Sequence, residues 1–129
     1  MEQSALANEA MLWTDAGMLA ALESASPEEL DALEFGVVGM DATGVVVLYN
    51  RCEVALSGLS AAGVLGRNFF TAVAPCTNNY LVAQRFRDEP TLDAELDYVF
   101  TLKMRPTKVR LRLLQTPEAR RKYLLVARR

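Results

Sequence analysis

Gly66-Arg67-Asn68-Phe69-Phe70-Thr71-Ala72-Val73-Ala74-Pro75-Cys76-Thr77 is the stretch around which this chain is organised. Gly66 and Asn68 favour turns and helix ends. Two adjacent aromatics follow, then a small apolar patch, Ala72-Val73-Ala74, leading to Pro75. Residues 67–72 have room for one helical turn. Proline fixes its own φ and pushes the preceding residue toward extended geometry. Cys76 is therefore presented by a stiff, non-helical approach in apolar surroundings. A free cysteine in such surroundings is most often a small core filler. Its meaning depends on what the rest of the chain brings to it.

Upstream, Phe35–Met40 and Val45–Tyr49 read as two strands joined by the turn Asp41-Ala42-Thr43-Gly44, a hairpin. Asn50 then caps a helix, with Glu53 in the capping-box position. Ser60 starts a second short helix that ends near Gly66. Further back, Ser26-Pro27-Glu28-Glu29 starts a helix that runs to about Glu34 and buries Leu30 and Leu33. Residues 4–23 are rich in Ala, Leu, Met and Glu, which predicts one or two short amphipathic helices. Helices this short need a surface to pack on.

Downstream, residues 77–92 are irregular, with a helix around Tyr80–Arg87. Glu95–Lys103 reads as a strand, and Pro106 interrupts. Thr107–Leu114 alternates, sending Val109, Leu111 and Leu113 one way and Lys108, Arg110 and Arg112 the other. Lys122–Arg128 is the last strand. This order predicts an α+β fold: a five-stranded antiparallel sheet with short helices on one face and an N-terminal helical cap on the other. Residues 1–25 form the cap and residues 26–129 the core of a single domain.

Composition narrows the function. The chain has 129 residues, 51% of them apolar and 23% charged, which suits one globular domain. No apolar run approaches the roughly 18 residues that span a bilayer. The N-terminus lacks the features of a signal peptide, so a cytoplasmic location is expected. There is no histidine, and Cys52 and Cys76 are the two cysteines. Ser-His-Asp and Cys-His catalysis, the common zinc sites and a disulfide scaffold are therefore disfavoured, and an enzyme is not expected. The net charge of −2 hides an asymmetry: residues 1–34 hold eight acids and no base, whereas residues 103–129 hold ten bases and one acid. A basic end can mark nucleic-acid binding. Here an acidic segment of the same chain can cover it, with the Lys108/Arg110/Arg112 stripe attracting the N-terminal helices.

The element order is similar to that of the PAS sensor fold. Leu48-Tyr49-Asn50, Glu53, Gly66, Asn68-Phe69-Phe70, Val73 through Thr77, Tyr98-Val99-Phe100 and Met104 through Val109 resemble the photoactive yellow protein family over about Leu30 to Arg128. The N-terminal 25 residues match only in helical character. The resemblance implies a blue-light photoreceptor with p-coumaric acid (4-hydroxycinnamic acid) held as a thioester on Cys76. It implies trans–cis photoisomerisation, proton transfer from Glu53, and a self-recovering photocycle that signals through partial unfolding of the N-terminal cap. Tyr49 and Glu53 would donate hydrogen bonds to the chromophore's phenolate. Burial beside an anion raises a carboxyl pKa, so Glu53 could keep the proton it needs to donate. Ser57 sits where the family has a hydroxyl residue bonded to the tyrosine. Val38, Phe69, Val73, Thr77, Phe100 and Met104 would line the pocket, and Met104 matches a residue tied to thermal return of the chromophore to trans.

The chain departs from the family at several points. Leu59 stands where well-known members close the pocket with an arginine, and Leu102 where they carry a pocket tyrosine. The loop between Thr77 and Asp97 is about three residues shorter, and Cys52 beside Glu53 is unusual. A chromophore-free PAS module for dimerisation or small-molecule sensing is the alternative reading. As partners we expect a separate downstream signalling protein, with neither nucleic acid nor a membrane, and a monomer or weak dimer.

Overall fold

The computed structural model describes residues 12–102 and 105–129, with the backbone alone at residue 102. Two short helices come first, α1 (Met18–Ser24) and α2 (Pro27–Asp31). The hairpin β1 (Gly36–Met40) and β2 (Val46–Tyr49) leads into α3 (Arg51–Ser57) and α4 (Ala61–Val64). A π-helical turn (Phe69–Val73), a 3₁₀ turn (Pro75–Thr77) and α5 (Ala83–Asp88) cross the sheet. Strands β3 (Leu92–Leu102), β4 (Arg105–Gln115) and β5 (Lys122–Arg128) complete it. The sheet order is β2-β1-β5-β4-β3, antiparallel at every pairing.

Strand alternation sorts the side chains into two cores. Val38, Met40, Val109, Leu111, Leu113, Leu124 and Val126 face the middle helices, together with Phe69, Val73 and Phe86. Val37, Leu114, Tyr123 and Leu125 face the other way and are covered by Met18, Leu22, Leu30 and Phe35. The α+β sheet with helices on both faces is as the sequence predicted. The part of the expected cap within residues 1–11 lies outside the described residues.

Local signals explain most element starts. Ser26 and Glu29 form a reciprocal capping box, with Pro27 at the first helical position. Asp41 closes the hairpin turn by accepting from Thr43 N, Thr43 Oγ1 and Val45 N. Helix α2 stops at Asp31 rather than near Glu34. There the Asn50 amide takes the Leu30 carbonyl, and Asp31 Oδ1 accepts from Arg51 N. Strand β3 starts at Leu92, three residues before the expected start. Pro106 lies inside β4 rather than interrupting it, because pairing with β5 begins only at Val109↔Arg128. At Pro106 the strand has a free side, where a missing N–H is tolerated.

The basic stripe also finds acidic partners across the sheet. Arg112 is bidentate to Asp93, at 2.9 Å for both Nε–Oδ1 and Nη2–Oδ2. Arg110 reaches Asp97 at 3.2 Å and Glu95 at 3.9 Å. Both sets of acids stand on the neighbouring strand β3, where cross-strand register puts opposite charges side by side at no loop-closure cost. The N-terminal segment meets this stripe through a backbone carbonyl, Trp13 O, which accepts from Arg112 Nη1 at 2.6 Å. Its acid Glu23 instead accepts from Tyr123 Oη at 2.8 Å and Arg120 N at 2.7 Å.

Candidate functional site

Asn50 organises one end of the site. Its Oδ1 accepts from Val37 N (2.9 Å) and Glu53 N (3.0 Å), and its Nδ2 donates to Leu30 O (2.8 Å) and Phe35 O (3.1 Å). All four hydrogen-bonding positions of the amide are used. The residue thus caps α3, as its sequence position suggests, and also ties α3 to β1 and α2. Glu53 does not complete a capping box, because Asn50 N donates to Val37 O at 3.2 Å. The Glu53 side chain turns inward and is 1% exposed.

Gly36 makes that possible. A Cβ placed on Gly36 would lie 2.0 Å from Glu53 Oε1, so any larger residue would expel the carboxyl from its seat against β1. In this seat Oε1 has no hydrogen-bond partner. Burial pushes the Glu53 pKa up to about 8, partly opposed by the contact with Tyr49. Glu53 is therefore an acid that keeps its proton at neutral pH.

Tyr49 sits at the end of β2, buried beside it. Its hydroxyl lies 2.8 Å from Ser57 Oγ and 3.5 Å from Glu53 Oε2. One hydroxyl hydrogen cannot serve both, and the shorter contact is the stronger claim. Burial, followed by the neighbouring Glu53 charge, pushes the Tyr49 pKa well up, while the Ser57 hydrogen bond pulls it back. Tyr49, Glu53 and Ser57 form a neutral group in which each member carries one O–H donor. Such a group is suited to an ionised oxygen, which forms the short, strong class of hydrogen bond.

The Cys76 segment forms the other end. Asn68 Oδ1 caps the π-helical turn by accepting from Phe70 N and Thr71 N. The wide turn closes with Val73 N donating to Asn68 O and Ala74 N to Phe69 O. It directs both Phe69 and Val73 into the inner core. Ala74 is non-helical (φ −133°, ψ 70°), and Pro75 opens the 3₁₀ turn that carries Cys76. Thr77 is fully buried and closes that turn by donating Oγ1–H to Ala74 O at 2.7 Å. Cys76 itself is half-buried and packs against the inner core, the same cluster that contains Tyr49. Its carbonyl accepts from the Tyr98 hydroxyl and from Asn79 Nδ2 (3.2 Å), and Asn79 also donates to Tyr98 Oη at 2.7 Å.

The inner core thus gathers Val38, Tyr49, Phe69, Val73 and Phe100, with Cys76 against it, and Glu53 and Ser57 meet it from α3. Met104 lies outside the described residues. Cys52 is half-buried on α3, and burial, then the Glu53 and Glu34 charges, push its thiol pKa up. Among the described residues no cluster of His, Cys, Asp or Glu could hold a metal ion, and no helix is long and apolar enough to cross a membrane. Gly36 and Asn79 were not singled out in sequence, and Tyr98 was named only within the segment Tyr98-Val99-Phe100, with no site role. Tyr98 carries a faint signal, since it shares the inward parity of Phe100, whereas nothing local marks Asn79.

No family model matches the chain. It is 40% identical over 88 residues to the photoactive yellow protein of Rhodothalassium salexigens, covering 66% of this chain and 70% of that protein. It is 37% identical over 95 residues to that of Halochromatium salexigens, covering 71% and 76%. The chain belongs to the photoactive yellow protein family. Among solved structures it superposes with TM-score 0.78 and 39% identity on the photoactive yellow protein domain of the sensor histidine kinase Ppr from Rhodospirillum centenum, covering 85% of this chain and 99% of that one. The PAS domain of an HTR-like protein from Haloarcula marismortui matches with TM-score 0.61 at 14% identity, covering 100% and 98%. The fold is therefore the PAS fold.

Proposed function

We propose that this chain is a blue-light photoreceptor that carries p-coumaric acid as a thioester on Cys76. Membership of the photoactive yellow protein family supports the reading. The observation that carries it is the buried Glu53 carboxyl, whose Oε1 has no hydrogen-bond partner and whose Oε2 faces the Tyr49 hydroxyl. A buried polar atom left unpaired is costly, and an ionised ligand oxygen would satisfy it. The group fits the residues present: a half-buried thiol on a stiff turn, an apolar wall, and neutral donors. Bound there, p-coumaric acid supplies a blue-absorbing phenolate and a light-isomerisable double bond.

Cys76 holds the group, and its carbonyl clamp to Tyr98 and Asn79 fixes the attachment point. Val38, Phe69, Val73, Thr77 and Phe100 wall the pocket and exclude water. Tyr49 and Glu53 donate to the phenolate, and Ser57 orients the Tyr49 hydroxyl. Glu53 would pass its proton to the phenolate oxygen, becoming a carboxylate as that oxygen becomes a neutral phenol. The carboxylate then stands uncompensated in an apolar core, which is strongly unfavourable. Asn50 couples that strain to α2 through Leu30 O, at the junction with the N-terminal cap. Loosening of the cap is the output, read by a separate signalling protein.

The test is reconstitution of the apoprotein with an activated ester or anhydride of p-coumaric acid, followed by intact mass and visible spectra. A yellow adduct that bleaches in blue light and recovers in the dark is expected for the wild type and Cys52→Ser, and not for Cys76→Ser. Amide exchange under continuous light should rise in α1 and α2. No coloured adduct, or one on Cys52, leaves the chromophore-free PAS module as the reading. Exchange that stays dark-like under light removes the unfolding output.

A further inference from the structure

A cleft of about 550 Å³ opens between the C-terminal half of α3 and the corner where β4 and β5 end. Phe100, Val109 and Val126 form its apolar floor, each under 5% exposed. Glu53 and Ser57 reach it from α3. Four bases line it: Arg105, Lys108, Arg128 and Arg129.

Two of these bases occupy unusual positions. Alternation along β4 and β5 sends Val109 and Val126 toward the core, and the same parity sends Arg105 and Arg128 to that side. Arg128 is also the cross-strand partner of Val109. Among the described residues neither Arg105 nor Arg128 has an acidic partner, nor does Lys108. Arg129 differs, because its Nη1 lies 3.2 Å from Asp97 Oδ2. Glu53 is the one acid lining the cleft among the described residues, and it is protonated and neutral at pH 7. The cleft therefore presents uncompensated positive charge over an apolar floor. Like charges gathered on a concave surface repel one another, and a bound anion relieves that repulsion.

We propose that this cleft is a binding site for a small organic anion, with a carboxylate held by Arg105 and Arg128 and an apolar body seated on Phe100, Val109 and Val126. The planar guanidinium fork matches a carboxylate. The dry floor rewards a hydrocarbon body and gives nothing to a hydrated inorganic ion. The volume lies in the range of small-molecule pockets. The outer-face bases do not extend the site into a nucleic-acid surface, because Arg110 and Arg112 are already paired on β3.

The cleft shares Phe100, Glu53 and Ser57 with the pocket proposed for the group on Cys76, so the test uses the full chain carrying Cys76→Ser, on which that group cannot be attached. Cyclohexanecarboxylate is titrated while backbone amide shifts are recorded. Saturable shifts at Ala55, Val109 and Val126 are expected. The neutral cyclohexanecarboxamide should bind about tenfold more weakly, and Arg105→Gln with Arg128→Gln should cost about the same factor while leaving distant shifts unchanged. Shifts centred on Phe69–Cys76 would overturn the proposal, as would equal binding of the amide or no effect of the double substitution. Inorganic phosphate binding as tightly as the carboxylate would do so too.

Discussion

The two faces of the sheet are built from the same strands and solve opposite problems. On the outer face the buried polar groups that meet the N-terminal helices are matched among the described residues: Arg112 by Asp93 and Trp13 O, Tyr123 by Glu23. On the inner face Glu53 is sealed in with one oxygen unpaired. The outer face is stapled for stability. The inner face keeps this unpaired oxygen, which lowers its stability.

The largest expected effect separates the faces by pH. The Glu53 pKa stands near 8 in the folded apoprotein against 4.5 as its ordinary value. Between those values the folded chain holds a proton that the unfolded chain has lost. Stability tied to Glu53 is therefore whole below about pH 4.5, falls as pH rises, and levels off above about pH 8, with about 5 kcal/mol at stake. Urea unfolding of wild type and Glu53→Gln across pH 4–9 should differ in this slope. Parallel curves would mean that Glu53 is not held protonated.

Next, Leu22→Ala should destabilise by about 3 kcal/mol, since Leu22 is 1% exposed at the heart of the outer core. The Glu53 slope should survive it unchanged. Loss of both together would show that the two faces are not separable.

Arg112→Met keeps the stem that packs on the outer face and removes the fork. A loss of about 2 kcal/mol is expected, because Trp13 O is left without its donor. Amide exchange should rise around Trp13 and stay as in wild type around Cys76.

The smallest effect belongs to Tyr98→Phe, which deletes one of two donors to the Cys76 carbonyl. A stability loss of about 1 kcal/mol is expected. In a reconstituted protein, dark recovery should change rate while the Glu53 titration does not.

Legibility in sequence followed how local each signal is. Ser26, Pro27 and Glu29 announced a capping box within four residues, and it is present. The β4 alternation announced its two faces, and the hairpin was marked by Asp41 and Gly44. The end of α2 was misjudged because a residue twenty positions away, Asn50, takes the last carbonyls. The ion pairs of the basic stripe with β3 lay beyond local reading for the same reason, since strand register is a long-range fact.

The sequence by itself determined the element order, the two-sided burial of the sheet and the stiff presentation of the Cys76 thiol. Each rests on periodicity, capping or proline geometry within a few residues. Only the tertiary structure decided that Glu53 turns inward against Gly36, that Asn50 binds three elements at once, and that Tyr98 and Asn79 hold the Cys76 carbonyl. Hydrogen bonds and close approaches between segments dozens of residues apart depend on where the folded chain brings them, and no local pattern of residue types encodes that meeting.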